Sequence, residues 1–364
     1  MSEYKSLHPR PEIEKLLPVH HGAPDFAELE NLNLMPGQVI DFSVNSNPYG
    51  PAPVVRQSLK SVPLDRYPDR EALNLRRALS RHHNVSLESI LVTNGTAELI
   101  WLIALTYLQP GDPVLILGPT FGEYAHAAAL MGAEIHTWAA QPEKFFTFQP
   151  DQIEQQFKQT NFRLVFVCNP NNPTGQVLPS HRLNIWAEQH PETLFVVDEA
   201  YIAFAEGMPS TLQLEHANIL VMRSMTKDYA LAGLRLGYAV GNKAVIQALG
   251  KARPPWSVNA LAQAGGIAAL KSQNYYKNCW QKILKNKTEL VAGLVSMGLS
   301  PILSRTHFFL LPVENGPQFR NALMEAGLQV RDCASFGLPS FVRIATRRPE
   351  ENQKLLAAIK LKAT

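Results

Sequence analysis

Short apolar runs alternate with segments in which apolar residues recur at helical spacing. The runs at 90–93, 113–117, 134–139, 163–168, 194–197, 219–222 and 236–240 read as strands. Between them, 94–108, 121–131, 152–159 and 180–190 read as helices. Short apolar strands alternating with helices predict an α/β fold, with a mostly parallel sheet covered by helices on both faces. Ahead of this block, residues 1–40 read as irregular and rich in Pro and His. Residues 41–50 read as a short strand ending in a turn, and 51–61 as a short helix. Residues 71–83 read as an amphipathic helix with Leu75, Ala78 and Leu79 on one side. After residue 242 helices dominate, at 243–253, 259–270 and 274–297. The chain then closes on a small α+β unit, with strands expected at 301–304, 308–311, 328–331 and 341–345 and helices at 318–326 and 349–362. The division expected is an arm (1–50) packing over a site, a large domain (51–260), and a linking helix with a small domain (261–364).

Composition narrows the class without fixing it. A net charge of +3 and the absence of a basic run argue against nucleic acid. No apolar run reaches membrane length, and residues 1–10 are polar with no apolar signal core. Cys168, Cys279 and Cys333 are too few and too scattered for a disulfide framework or a zinc site. A metal-free, reduced, cytoplasmic enzyme is the expectation.

Ligands in open α/β sheets bind beyond the carboxyl ends of strands. Four polar stretches fall there: Asn94-Gly95-Thr96-Ala97, Asn169-Pro170-Asn171-Asn172-Pro173-Thr174-Gly175, Asp198-Glu199-Ala200-Tyr201 and Ser224-Met225-Thr226-Lys227. In the last, a lysine sits beside two hydroxyl residues, with Gly233, Arg235 and Gly237 following. A lysine amine forms an imine with the aldehyde of pyridoxal 5'-phosphate (PLP), and hydroxyls and a guanidinium hold its phosphate. Ser224-x-x-Lys227 is also a penicillin-binding motif, but no Ser-Asp-Asn or Lys-Thr-Gly follows it. Asn94 to Ala97, at a helix start, offers free N–H groups and a positive dipole end to a dianion, or is a plain N-cap. Asn172 aims an amide from a rigid turn, or closes the turn alone. Asp198 can keep a pyridine nitrogen protonated, or cap a helix; Tyr201 can bond a ring oxygen. Phe121 can stack on a ring face. Arg343 stands among Phe341, Val342, Ile344 and Ala345 and needs an anion there. That anion is a substrate carboxylate or phosphate, or a structural carboxylate. Arg331 is a second candidate of the same kind.

Together, Asn171-Asn172-Pro173-Thr174-Gly175, Asp198-Glu199-Ala200-Tyr201 and Ser224-x-Thr226-Lys227-x5-Gly233-Leu234-Arg235-x-Gly237 are specific. Through them nearly the whole chain resembles PLP enzymes of fold type I in the class I/II aminotransferase family. The resemblance implies a seven-stranded, mostly parallel sheet and a homodimer. It implies cofactor contacts from Gly95, Thr96, Ala97, Phe121, Asn172, Asp198, Tyr201, Ser224, Thr226, Lys227 and Arg235, with Tyr67 reaching the phosphate of the other subunit. Lys227, Asp198 and Tyr201 are the implied catalytic residues. His21, Gly22, Asn45, Asn172, Arg331 and Arg343 are the implied contacts to an anionic amino acid or amine, with His20 an alternative to His21. His21-Gly22, the stretch from Asp41 to Pro48, Arg66-Tyr67-Pro68-Asp69, the stretch from Pro255 to Ala262 and Arg331-x-Cys333-Ala334 resemble L-threonine-O-3-phosphate decarboxylases. The expected reaction is therefore decarboxylation of L-threonine O-3-phosphate to (R)-1-aminopropan-2-yl phosphate, which the resemblance places in cobalamin biosynthesis. The alternative is transamination of the histidinol-phosphate type, or a relative acting on another polar amino acid. A non-enzymatic binding module would need neither Asp198 nor Lys227.

Overall fold

The computed structural model describes residues 8–14, 16, 18–214 and 216–363. Its strands are β1 Ile40–Asp41, β2 Ile90–Thr93, β3 Pro113–Gly118, β4 Glu134–Ala139, β5 Leu164–Cys168, β6 Leu194–Asp198, β7 Ile219–Ser224, β8 Gly237–Gly241, β9 Phe308–Pro312, β10 Leu328–Gln329, β11 Arg331–Asp332 and β12 Phe341–Ala345. The expected seven-stranded sheet is present, in the order β2-β8-β7-β6-β5-β3-β4. Only β8 runs antiparallel to its neighbours; the other pairings are parallel. The central strands are apolar throughout because both faces are covered. Phe166, Val196, Leu220 and Met222 pack on one face with the helix Gly95–Tyr107. Val165, Val167, Phe195 and Val197 pack on the other, with Trp186 from the helix Ser180–Gln189.

A three-stranded antiparallel sheet, β11-β12-β9, forms the C-terminal unit. The helix Gln273–Ser296 leads to it, and Leu290 and Leu294 of that helix pack with Phe309, Leu311 and Ile344. The arm is sewn to the same unit. β1 pairs in parallel with β10, and Phe42 is buried in that small core.

Three local expectations are corrected. Residues 301–304 are not a strand: Pro301 has no N–H, and the ladder is reduced to Ile302 N–H on Leu310 O at 2.8 Å. The run 328–331 is split, because β10 pairs with the arm while β11 pairs with β12. The strand expected at 41–50 stops at Asp41, whose carboxylate takes Ser43 N–H at 2.8 Å and Ser43 Oγ–H at 2.6 Å and turns the chain. The arm is also more regular than its composition suggests. A helix runs over Phe26–Asn31, capped by the Asp25 carboxylate on Ala27 N–H at 2.9 Å. Residues 1–7 of the expected arm lie outside the described residues. The three cysteines are unpaired and buried. No described helix is long and apolar enough to cross a membrane.

Candidate active site

The carboxyl ends of β2, β5, β6 and β7, the arm and the small sheet converge on one cavity of about 840 Å³. Its floor holds an anion cradle. The helix Gly95–Tyr107 starts with no side-chain cap from Asn94, so its first N–H groups are left for a ligand. A plain N-cap is thereby ruled out. Gly95 adopts φ +77, and a Cβ there would come within 3.0 Å of the Arg235 guanidinium. Gly237 lies closer still: its Cβ would stand 2.7 Å from both Gly95 C and Thr96 N. That clearance lets β8 bring Arg235 beside the helix start. Ser224 and Thr226 share a hydroxyl bond of 2.7 Å across the same floor, and Thr96, Ala97, Ser224, Thr226 and Arg235 all line the cavity.

Lys227 follows directly. Burial first, then the cationic Arg343 and Arg235, draw its amine down to about 8. Opposite it stands Asp198, buried at the end of β6. Its Oδ2 accepts from the Tyr124 hydroxyl at 2.7 Å and its Oδ1 from Ala200 N–H at 3.0 Å. Burial pushes the carboxyl up to about 6, against the pull of the Tyr124 hydroxyl. Asp198 therefore caps no helix, and it lines the cavity. Tyr201 is buried edge-on against Phe308 at 4.9 Å, and burial pushes its hydroxyl up to about 12. Phe121 lines the cavity, edge-on to Tyr124 at 5.7 Å.

The asparagine turn divides its labour. The Asn171 amide ties the turn to the loop after β3, donating to Pro119 O at 2.9 Å and to Thr174 Oγ1 within the turn at 3.0 Å while accepting from Thr120 Oγ1 at 2.8 Å. Asn172 instead faces the cavity and accepts from Arg343.

Arg343 is buried on β12, donating to Asn172 Oδ1 and to Ser43 O, with its Nε unpartnered. Among the described residues no carboxylate lies within ion-pair distance of it. The structural salt bridge that its setting allowed is absent. Asn45 is 2% exposed and lines the cavity, its amide beside the Tyr201 hydroxyl, whose burial-raised pKa it helps to lower. Arg331 donates to His20 O at 2.8 Å, His21 O at 3.2 Å and Ser335 Oγ at 2.6 Å. Both histidines line the cavity, and the His21 ring packs against Phe121 at 5.6 Å. Gly22 is a packing residue as well, since a Cβ there would stand 2.7 Å from Ser43 O.

Tyr67 is the outlier. It lies outside the cavity lining, 81% exposed, with its ring 4.7 Å from that of Trp256. Reading the sequence passed over Tyr124, Glu123, Ser43 and Ser335. Tyr124 and Glu123 stand just after Phe121 in the same helix start, which was the available signal. Ser43 lay within the Asp41 to Pro48 stretch, and Ser335 had no signal. Among the described residues no group of three His, Cys, Asp or Glu is placed to hold a metal.

The complement of donors fits PLP: an amine for its aldehyde at Lys227, a carboxylate for its pyridine nitrogen at Asp198, and the cradle of Ser224, Thr226, Arg235 and the helix start for its phosphate. Fold and site together define a lysine-dependent carbonyl-cofactor enzyme built on an open α/β sheet. The chain belongs to the aminotransferase class I and II family, whose sequence pattern matches residues 37–359. It is 33% identical to histidinol-phosphate aminotransferase 2 of Pseudomonas aeruginosa, over 99% of this chain and 98% of the relative. The histidinol-phosphate aminotransferase of Sinorhizobium meliloti, solved in complex with pyridoxal-5'-phosphate, superposes with a TM-score of 0.86 at 26% identity, covering 98% of each chain. The L-threonine-O-3-phosphate decarboxylase of Porphyromonas gingivalis superposes with a TM-score of 0.78 at 28% identity, covering 88% of this chain and 98% of its own.

Proposed function

We propose that this chain is a PLP-dependent aminotransferase acting on a phosphate-bearing amino compound of the histidinol-phosphate type. The observation that carries the reading is Arg343, a buried cation in the wall of the cavity with no anionic partner among the described residues. An incoming phosphate or carboxylate supplies that partner. Bound PLP supplies an electron sink for the charge left at the substrate's Cα. The residues do the rest. Asp198, held by the Tyr124 hydroxyl, would keep a pyridine nitrogen protonated, and Tyr201 and Asn172 would face the ring oxygen. The Lys227 amine takes and returns the proton at Cα.

The decarboxylation expected from the motifs becomes the second reading. It loses first place because the Pseudomonas aeruginosa relative, matched end to end, is a histidinol-phosphate aminotransferase. It stays in view because of the Porphyromonas gingivalis structure, and with it stays the cobalamin assignment.

A homodimer is part of the proposal. Tyr67, 81% exposed, and Trp256, 44% exposed, pair their rings at 4.7 Å on the surface, where a second copy would cover them. The arm, large unit and small unit divided at residues 50 and 260, and a cytoplasmic location, belong to the same reading.

The test uses the PLP-loaded enzyme in two reactions. Histidinol phosphate with 2-oxoglutarate should yield glutamate. L-threonine O-3-phosphate alone should yield no CO2. Release of CO2 without a keto acid would reverse the order of the two readings.

A further inference from the structure

One carboxylate in the cavity wall has no part in the roles above. Glu123 opens the helix Glu123–Leu130, and both of its oxygens are engaged. Oε1 accepts from His21 Nε2 at 2.9 Å, and Oε2 from Trp101 Nε1 at 3.3 Å. The His21 bond is the main cause that holds the Glu123 carboxyl below its ordinary value, ahead of the opposing effect of burial. The Glu123 side chain is 12% exposed, and that of His21 is 48% exposed. A half-exposed ring is therefore anchored by a nearly buried carboxylate, itself braced by Trp101.

The anchored ring belongs to the arm, and the same arm residues serve Arg331. The carbonyls of His20 and His21 take the Arg331 guanidinium at 2.8 and 3.2 Å. Glu123 stands on a helix of the large sheet, and Arg331 on β11 of the small one. His21 joins them across the cavity. Arg331 also has a competitor, the Asp332 carboxylate at 4.0 Å. The arm carbonyls, with Ser335 Oγ at 2.6 Å, hold the guanidinium against that competitor.

We propose that Glu123 is a positioning residue for substrate recognition: its carboxylate fixes the His21 ring across the cavity mouth and, through the arm backbone, aims Arg331 at the substrate's anion. The role rests on the reading above that the cavity takes an anionic substrate.

The experiment compares Glu123→Ala, Glu123→Gln, His21→Ala and the Glu123→Ala/His21→Ala double variant, each loaded with PLP. Glu123→Ala and His21→Ala should each raise KM for histidinol phosphate about tenfold, with kcat held within about twofold. The double variant should add nothing, because the second residue acts through the first. Glu123→Gln keeps an acceptor oxygen in place and should stay within about threefold of wild type. Amide exchange over residues 18–25 should quicken in Glu123→Ala and His21→Ala and not in Glu123→Gln. Effects that multiply in the double variant, a kcat loss at constant KM, or unchanged exchange over 18–25 would each overturn the role. If the wild type turns over neither substrate, the functional reading fails by itself. The exchange comparison still decides whether Glu123 holds the arm.

Discussion

Removing the Arg343 guanidinium separates a substrate-binding arginine from a structural one. The side chain is 5% exposed, and burial is the main cause that lowers its pKa from the ordinary arginine value. Its compensation in the free chain is two carbonyl oxygens, at Asn172 and Ser43, and the face of Phe308 at 5.6 Å. A buried cation so placed adds little net stability, because desolvation offsets what its contacts return. An arriving phosphate or carboxylate changes the balance. Truncating one partner of a buried, hydrogen-bonded charge pair costs about 2–5 kcal/mol. At about 1.4 kcal/mol per factor of ten, kcat/KM should fall by roughly 30- to 3,000-fold. Arg343→Met fills most of the volume and leaves no charge, so Tm should stay within about 3 °C of wild type. Arg343→Lys should fall between, because a point charge replaces a fork. The assays are glutamate formation from histidinol phosphate and a thermal melt of the same samples. A kcat/KM within about threefold of wild type, with Tm lower by roughly 10 °C, would show a structural arginine and remove the observation on which the function rests.

Three further outcomes are expected. In the wild type, borohydride should fix the cofactor to the peptide carrying Lys227; Lys227→Ala should yield no labelled peptide, and a label elsewhere would move the site. Asp198 makes the cofactor-free chain pH-sensitive. Burial lifts its carboxyl from 3.8 to about 6, so the folded chain holds this proton more tightly than the unfolded one. The stability it contributes is full below about pH 4 and is lost as pH rises through about 6, by about 3 kcal/mol. Asp198→Asn keeps the acceptor for Tyr124 and sheds that loss, so its Tm should gain on wild type between about pH 4 and 7; parallel curves would show that the carboxylate is fully compensated. Gly237→Ala places a methyl 2.7 Å from Gly95 C and Thr96 N, and should weaken PLP binding at least tenfold while costing about 1–3 kcal/mol of stability. Unaltered PLP affinity would detach the helix start from the phosphate.

What the sequence disclosed follows from how local each determinant is. β2, β5 and β6 lie where their apolar runs place them, because strands covered on both sheet faces carry an uninterrupted signal. Lys227, Asp198, Asn172 and the Ser224-Thr226 pair were legible because each stands at the end of such a strand or in a turn rigid enough to aim it. The division between Asn171 and Asn172 was not legible. Both are asparagines of one turn, and only the Pro119-Thr120 loop and Arg343 decide that Asn171 ties the turn to that loop while Asn172 faces the cavity. The missing counter-ion of Arg343 is likewise a property of three dimensions, since its sequence neighbours said only that an anion was needed. Tyr124 was hidden because an aromatic inside a helix start reads as core, which it also is: its ring stacks on Phe166 at 4.8 Å while its hydroxyl holds Asp198. Tyr67 had a motif but no place in the cavity of one chain, and its proposed role depends wholly on a second copy.

The two readings of the reaction share every one of these residues, so they part on orientation. The bond at Cα that breaks is the one standing perpendicular to the cofactor ring, where it overlaps the π system. Loss of CO2 turns a carboxylate into a neutral molecule, and a site that grips the carboxylate tightly stabilises the starting state against it. Arg343 is such a grip: a buried guanidinium beside Asn172, with Lys227 close enough for its charge to depress the lysine amine. A substrate α-carboxylate seated there is held as an anion. The Lys227 amine serves either outcome, since a proton leaves Cα in transamination and one returns to Cα after CO2 departs. The readings therefore part on which substrate anion Arg343 receives: an α-carboxylate seated there resists loss as CO2, whereas a phosphate seated there leaves the carboxylate free to go.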